Sequence, residues 1–288
     1  MKKCERFLII ANELKDTDLK WSKYTDELIK GRGYTSMLHV GLDQNGLGEI
    51  LDNTDVVIVM GGDGTMLRVS HTLNGRDIPV IGVNLGTVGF MTEVVVSEID
   101  SMIDRLIAGD YEIENRMMLK GTVTHEVSGH ETEWEKEEVA YALNDIVFAR
   151  ENALRLIAVR IYVNDNYFDT CEADGILIAT PTGSTGYNLS AGGPIVKGDA
   201  RLMVMTPISP YSLSRRSVIF GEEDKITLEI IRKRKDIECN GLVSFDGAST
   251  FKMELGSKVD IEVSPYTFSK VKLNDSSVYE ILRKKLGV

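Results

Sequence analysis

Asp63 places a carboxylate in the middle of a glycine loop. The stretch "VIVMGGDGTML" (Val57–Leu67) runs an apolar strand into Gly61, Gly62, Asp63, Gly64 and Thr65. Glycines permit positive φ and close backbone approach. Backbone N–H groups of such a loop, leading into a helix from Thr65, point at an anion. A carboxylate there opposes that use, because two unit charges about 4 Å apart repel by about 4 kcal/mol at an effective dielectric near 20. It becomes useful facing a magnesium ion that bridges phosphates, or accepting the proton of a hydroxyl about to be phosphorylated. Both settings point to phosphoryl transfer or a hydroxyl-bearing ligand. The loop lacks the GK[ST] of a Walker A motif and is not GxGxxG. The plain alternative is a tight strand-to-helix turn with an aspartate cap.

A second dense stretch is "EADGILIATPTGSTGYNLSAGGPI" (Glu172–Ile195). Asp174-Gly175 precedes an apolar strand. Then come Thr180, Thr182, Gly183, Ser184, Thr185, Gly186, Tyr187, Asn188, Leu189 and Ser190. Hydroxyls and backbone amides with little side-chain bulk suit ribose, amide and phosphate oxygens together. Tyr187 can lie flat on a base. A flexible surface linker is the alternative, but the bracketing strand and the embedded Asp, Tyr and Pro are unlike one. "LNDIVFAR" puts Asn144-Asp145 at a strand entry. Asn suits an adenine edge and Asp a ribose diol, although such a pair is most often a turn. Arg215 and Arg216, in "MTPISPYSLSRRSVIF", are candidate phosphate-facing cations or plain surface arginines.

The elements that carry these residues fall into two halves. "RFLIIAN", "TSMLHV", "DVVIVM" and "IPVIGVN" read as strands, "DVVIVM" continuously apolar as for a strand covered on both faces. Helical spacing separates them, over "TDLKWSKYTDELIKGRG" with Asp16 or Thr17 as cap, over Thr65–Asn74, and over "SEIDSMIDRLIAGD". This alternation implies a parallel sheet. From Lys120 to Pro265 strand signals dominate, with "NDN" (Asn164–Asn166) as a hairpin turn. "SSVYEILRKKLGV" reads as a final helix, and "ETEWEKEE" (Glu131–Glu138) as a solvated acidic loop.

The chain has 288 residues, 43% hydrophobic, with a formal net charge of −11. Acidic balance argues against nucleic acid or an anionic membrane as main partner. Cys4, Cys171 and Cys239 form no CxxC pair, and a reducing compartment fits. The N-terminus lacks a signal-peptide pattern, and no apolar stretch nears the roughly 20 residues of a membrane span. The expectation is a cytoplasmic protein.

Taken together these motifs resemble the NAD kinase family. "GGDGT" matches its glycine-rich motif, Asn144-Asp145 sits where Asn-Glu is usual, and "ADG" with "TPTGSTGYNLSAGGP" matches its longest signature. "TPISPYSLSRR" and "FDG" (Phe245–Gly247) follow in the family's order. The resemblance implies a Rossmann-like α/β domain (residues 1–118 plus 267–288) and an antiparallel β domain (119–266), with the C-terminal helix returning to the first domain and the active site between them. It implies phosphorylation of the adenosine ribose 2′-hydroxyl of NAD by ATP with Mg²⁺, in a homodimer or homotetramer. Asp63 would be the catalytic carboxylate beside Gly61, Gly62, Gly64 and Thr65. Asn144 and Asp145 would hold adenosine, and Asp174, Thr182 and Thr185 to Ser190 the rest of the dinucleotide. Arg155 stands at a position basic in many members, and Phe90 belongs to a loop, "GTVGF" (Gly86–Phe90), closing over the substrate. Four residues depart from the pattern: Asp145 for Glu, Gly186 for Ala, Tyr211 for His and Ala248 for Gln. Lipid and sphingoid kinases share GGDGT and should show an apolar substrate slot and a membrane-facing surface, but the hydroxyl-rich second stretch and the lack of a basic amphipathic anchor argue against them. A non-catalytic NAD sensor would use the same pocket without turnover.

Overall fold

The structure is a computed structural model that describes residues 3–41, 47–86, 89–125, 136–152, 155–232, 240–273 and 283. The expected C-terminal helix therefore lies, apart from Arg283, outside the described residues. So do Thr87 and Val88 of the "GTVGF" loop, most of the acidic run, and Cys239. The chain divides into two compact units, Met1–Arg116 with Tyr266–Val288, and Met117–Pro265.

In the first unit four parallel strands lie in the order Val80–Asn84, Val56–Met60, Arg6–Ala11, Thr35–Val40. Val56–Met60 is buried throughout, as its unbroken apolar run requires, and so is Val80–Asn84, Asn84 included. The helix Lys20–Gly31 begins where Asp16 accepts the N–H groups of Trp21 and Ser22 at 3.0 and 2.8 Å, so the expected cap works from outside the first turn. The helix after the glycine loop runs Asp63–Leu73 and buries Met66, Val69 and Leu73. It stops at Asn74, which takes the left-handed conformation. The helix Ile99–Ala108 buries Ile99, Met102, Ile103 and Leu106 along one face. Parallel pairing of Lys270 with Val80 adds the end of the strand Lys258–Lys272 to this sheet.

The second unit is antiparallel. One sheet pairs Asn166–Ala173, Ile157–Val163, Ile226–Ile231 and the start of Lys258–Lys272. A second runs in the order Val218–Gly221, Leu202–Ile208, Gly175–Ala179, Asp145–Arg150, Gly241–Phe245, Ser249–Met253. Asn164 and Asp165 both take positive φ, which is the two-residue hairpin expected of "NDN". Residues from both sheets, among them Phe148, Ile161, Cys171, Ile176, Met205, Leu228 and Phe245, form one apolar core.

Candidate functional site

The glycine loop of the first unit positions Asp63. Gly61 closes the strand with its N–H on the Val83 carbonyl, and Gly62 accepts from Thr65 and Met66. The helix starts at Asp63, two residues before the expected Thr65, so the carboxylate belongs to the first turn. The loop glycines do not take positive φ. Gly61 is required instead by packing, because a Cβ there would lie 2.4 Å from Thr65 Oγ1, whereas one at Gly62 or Gly64 would meet nothing. Thr65 is buried, and its hydroxyl accepts from Asn12 Nδ2 at 3.0 Å.

The Asp63 carboxylate reaches across to a second chain segment. The Phe90 N–H donates to Oδ2 at 2.7 Å, and Met91 N–H, Thr92 N–H and Thr92 Oγ1 donate to Oδ1 at 3.0, 3.3 and 3.3 Å. Gly89 makes this possible, since a Cβ there would sit 1.8 Å from Oδ1. Thr92 is itself held by Asn84 Nδ2 at 3.2 Å, and Asn84 Oδ1 accepts the Gly86 N–H. Asn84 and Thr92 escaped the sequence reading, and Gly89 entered it only as part of "GTVGF". Their only signal is an Asn and a Thr flanking a loop.

In the second unit three loops meet. Asp246 of "FDG" accepts the N–H groups of Leu143, Asn144 and Asp145 at 2.6, 2.8 and 2.9 Å. Thr180 N–H donates to the Asn144 carbonyl, and Thr180 Oγ1 to the Leu143 carbonyl at 2.6 Å. Gly183 packs against the same turn, where a Cβ would lie 2.0 Å from the Asn144 oxygen. The backbone of Asn144 is thereby fixed while its side-chain amide makes no hydrogen bond within the described residues. Thr182 Oγ1 is buried and has no hydrogen-bond partner among the described residues.

Asp145 is 7% exposed. Burial, with the nearby Asp246 carboxylate as a second cause, pushes its carboxyl up to about 7. Gly186 has φ −91°, and a Cβ on it would approach the Gly183 oxygen to 3.3 Å and Asn144 Nδ2 to 3.6 Å. The alanine usual in the family would therefore bear on the Asn144 amide.

The remaining residues of the long signature divide. Tyr187, Leu189 and Ser190 lie in a short helix, Tyr187–Ser190, with Tyr187 and Ser190 exposed and Leu189 half-buried. Asn188 is buried among protein groups. Its amide donates to the Ser184 and Pro194 carbonyls and its oxygen accepts from Thr206 Oγ1 at 2.7 Å. It holds the loop in shape. Thr185 Oγ1 donates to the Thr182 carbonyl. Asp174 is paired with Arg150 Nε at 3.0 Å. Arg155 is exposed. Arg215 is engaged by Asp169 and the Thr170 carbonyl.

Comparison with known proteins decides what these motifs belong to. The ATP-NAD kinase N-terminal domain family matches residues 8–111, and the ATP-NAD kinase C-terminal domain family residues 143–273. A curated NAD kinase of Lachnospira eligens is 36% identical over 97% of this chain and 99% of its own length. The chain belongs to the NAD kinase family. It is an enzyme of that family, with the α/β and antiparallel β organisation described above. Two solved structures share the fold. The crystal structure of yeast NADH kinase complexed with NADH has a TM-score of 0.84 at 22% identity, covering 99% of this chain and 88% of that one. That of an NAD kinase from Archaeoglobus fulgidus in complex with ATP has 0.76 at 24%, covering 98% of each. No helix among the described residues is long and apolar enough to cross a membrane.

Proposed function

We propose that the chain transfers the γ-phosphoryl group of ATP to the 2′-hydroxyl of the adenosine ribose of NAD, giving NADP, with Asp63 as the carboxylate that takes the hydroxyl proton. The observation that carries this reading is the anchoring of Asp63 at the first turn of the helix Asp63–Leu73 by the backbone of Phe90–Thr92. A carboxylate held on several N–H groups keeps one orientation, which a general base needs. The loop Gly61–Thr65 and the helix N-terminus suit the ATP phosphates.

Carboxylate oxygens are the hard donors that Mg²⁺ takes, and this ion is commonly held by one or two carboxylates together with substrate phosphates, so Asp63 fits that part as well. When bound, Mg²⁺ supplies charge neutralisation between the phosphates. In the second unit, the unpartnered Asn144 amide and Asp145 would read the adenosine edge and ribose. Thr182, Thr185 and Tyr187 would line the rest of the dinucleotide, with Asp174, Arg155 and Phe90 as further contacts. The relatives' names support NAD as substrate, and the Archaeoglobus fulgidus complex supports ATP as donor. Exposed Tyr211 and Leu213, at 78% and 93%, would offer apolar contacts to a homo-oligomer.

Purified protein with ATP, Mg²⁺ and NAD should form NADP, detected with an NADP-specific dehydrogenase, and Asp63→Asn should not. Near-normal turnover in Asp63→Asn would refute the assignment. NAD binding without product in the wild type would favour a sensor.

A further inference from the structure

The second unit contains a cavity lined by Arg215 and Arg216 and by none of the residues assigned above to NAD or ATP. It has a volume of about 360 Å³ and opens at one end of the core between the two sheets. Ile161 and Cys171 come from one sheet, Ile176, Met205 and Val218 from the other. Sites for small organic ligands fall in the range of about 300–1,000 Å³ with mainly apolar walls and a few placed polar groups. This cavity falls in that range of volume, with an apolar side formed by Ile161, Cys171, Ile176, Met205 and Val218 and a polar side formed by Asp169, Ser212, Ser214, Arg215 and Arg216.

Two features make it more than an unfilled end of the core. The pairing of Asn166–Ala173 with Ile157–Val163 shifts register between Tyr167 and Asp169, leaving Phe168 as an unpaired bulge residue. A bulge re-aims the side chain it carries. Phe168 turns to the cavity wall, 43% exposed and edge-to-face with Phe220 at 5.8 Å. An aromatic ring is thus kept partly in water at the mouth of a pocket whose floor is apolar.

The second feature is charge. Arg215 and Asp169 both line the cavity and neutralise one another. Arg216 also lines it, and only its Nη1 is used, on the Leu213 and Arg215 carbonyls at 2.9 Å. Nε and Nη2 of Arg216 make no hydrogen bond within the described residues. The wall therefore carries one uncompensated guanidinium on a chain whose net charge is −11. Planar guanidinium groups recognise carboxylate, sulfonate and phosphate oxygens.

We propose that this cavity binds a small amphipathic anion, an aromatic or branched aliphatic body bearing one anionic head, with the body against Phe168, Ile176 and Met205 and the head on Arg216. The site is separate from the loop Thr182–Ser190 yet shares a strand with it. Met205 and Pro207 face the cavity, while Thr206 between them faces the other way and donates to Asn188.

The test uses 8-anilinonaphthalene-1-sulfonate as probe on the full chain, followed by fluorescence and calorimetry. Saturable binding of one probe per chain is expected. Arg216→Glu should weaken it by about ten-fold or more, as loss of a charge-assisted contact with added repulsion does. Ser214→Trp, a substitution at an exposed wall position, should block the mouth and abolish binding. The neutral N-phenyl-1-naphthylamine should bind the wild type more weakly and be indifferent to Arg216→Glu. Unchanged unfolding midpoints identify the effects as local. No saturable binding, or binding unaltered in both variants, would overturn the proposal. So would a stoichiometry that falls as chain concentration rises, since a second copy would then be the occupant.

Discussion

The Asp246 carboxylate accepts the Asn144 N–H at 2.8 Å across a separation of 102 residues, with Leu143 and Asp145 N–H groups on the same carboxylate. One side chain therefore sets the backbone from which two candidate adenosine contacts project.

Asp246→Ala leaves three half-buried N–H groups without their acceptor. Each such loss costs about 1–3 kcal/mol, so urea denaturation should show a clear destabilisation. Asp246→Asn keeps one carbonyl oxygen and should lose less. In that milder variant KM for NAD should rise more than kcat falls, because the reacting atoms are not touched. Equal loss in both parameters would show that Asp246 does more than hold the turn.

Asp145→Asn tests the buried carboxyl. Its pKa is raised in the folded protein to about 7, so the folded state binds a proton that the unfolded state has released above about 4. Wild-type stability should therefore fall as pH rises from about 4 to 7 on account of this group, and the loss should be complete above 7. The asparagine variant has no such titration. Its stability relative to wild type should improve through that window and level off above it. A pH-independent difference between the two proteins would mean that the group ionises normally.

Asp63→Asn places an amide NH₂ against backbone N–H groups of Phe90–Thr92. Some thermal destabilisation should accompany a fall in turnover of about 10²-fold or more, the scale of general-base loss. Thr92→Val separates the two effects. It removes the hydroxyl contact to Asp63 at 3.3 Å and the acceptor for Asn84 Nδ2 at 3.2 Å, keeps the three backbone N–H donors, and should leave turnover within about ten-fold of wild type. A Thr92→Val enzyme as slow as Asp63→Asn would make anchoring, not proton acceptance, the decisive role.

Gly183→Ala drives a methyl to 2.0 Å from the Asn144 carbonyl oxygen. Backbone must shift, at a cost on the order of 1–3 kcal/mol. Gly186→Ala meets only 3.3 and 3.6 Å contacts and should leave the melting temperature close to wild type. NAD affinity measured by calorimetry should fall in the first variant well beyond the second.

Local patterns made much of the fold legible. A continuous apolar run marked the buried strand Val56–Met60, dense strand signals marked the antiparallel half, and "NDN" marked its hairpin. The start of the helix at Asp63 was misplaced by two residues, because the backbone N–H donors that tether Asp63 lie 27 to 29 positions further along. Asp246 was seen only as part of a landmark for the same reason, since its partners are about a hundred residues away. Composition marked the loop Thr180–Pro194 as polar and tight but could not tell inward from outward. Asn188 turns in to hold the loop, and Tyr187 beside it is exposed.

The grip of Asp246 on residues 143–145 also has a temporal side. During synthesis the strand Asp145–Arg150 leaves the ribosome about a hundred residues before Asp246 does. Until then the Asn144 turn lacks its acceptor, and every shorter nascent chain carries that part of the nucleotide site unfastened. The left-handed turn at Asp246 and Gly247 is the last piece to be made and the one that locks it. A chain interrupted before that point is thus born with "GGDGT" and the long signature Ala173–Pro194 intact and that part of its site unassembled.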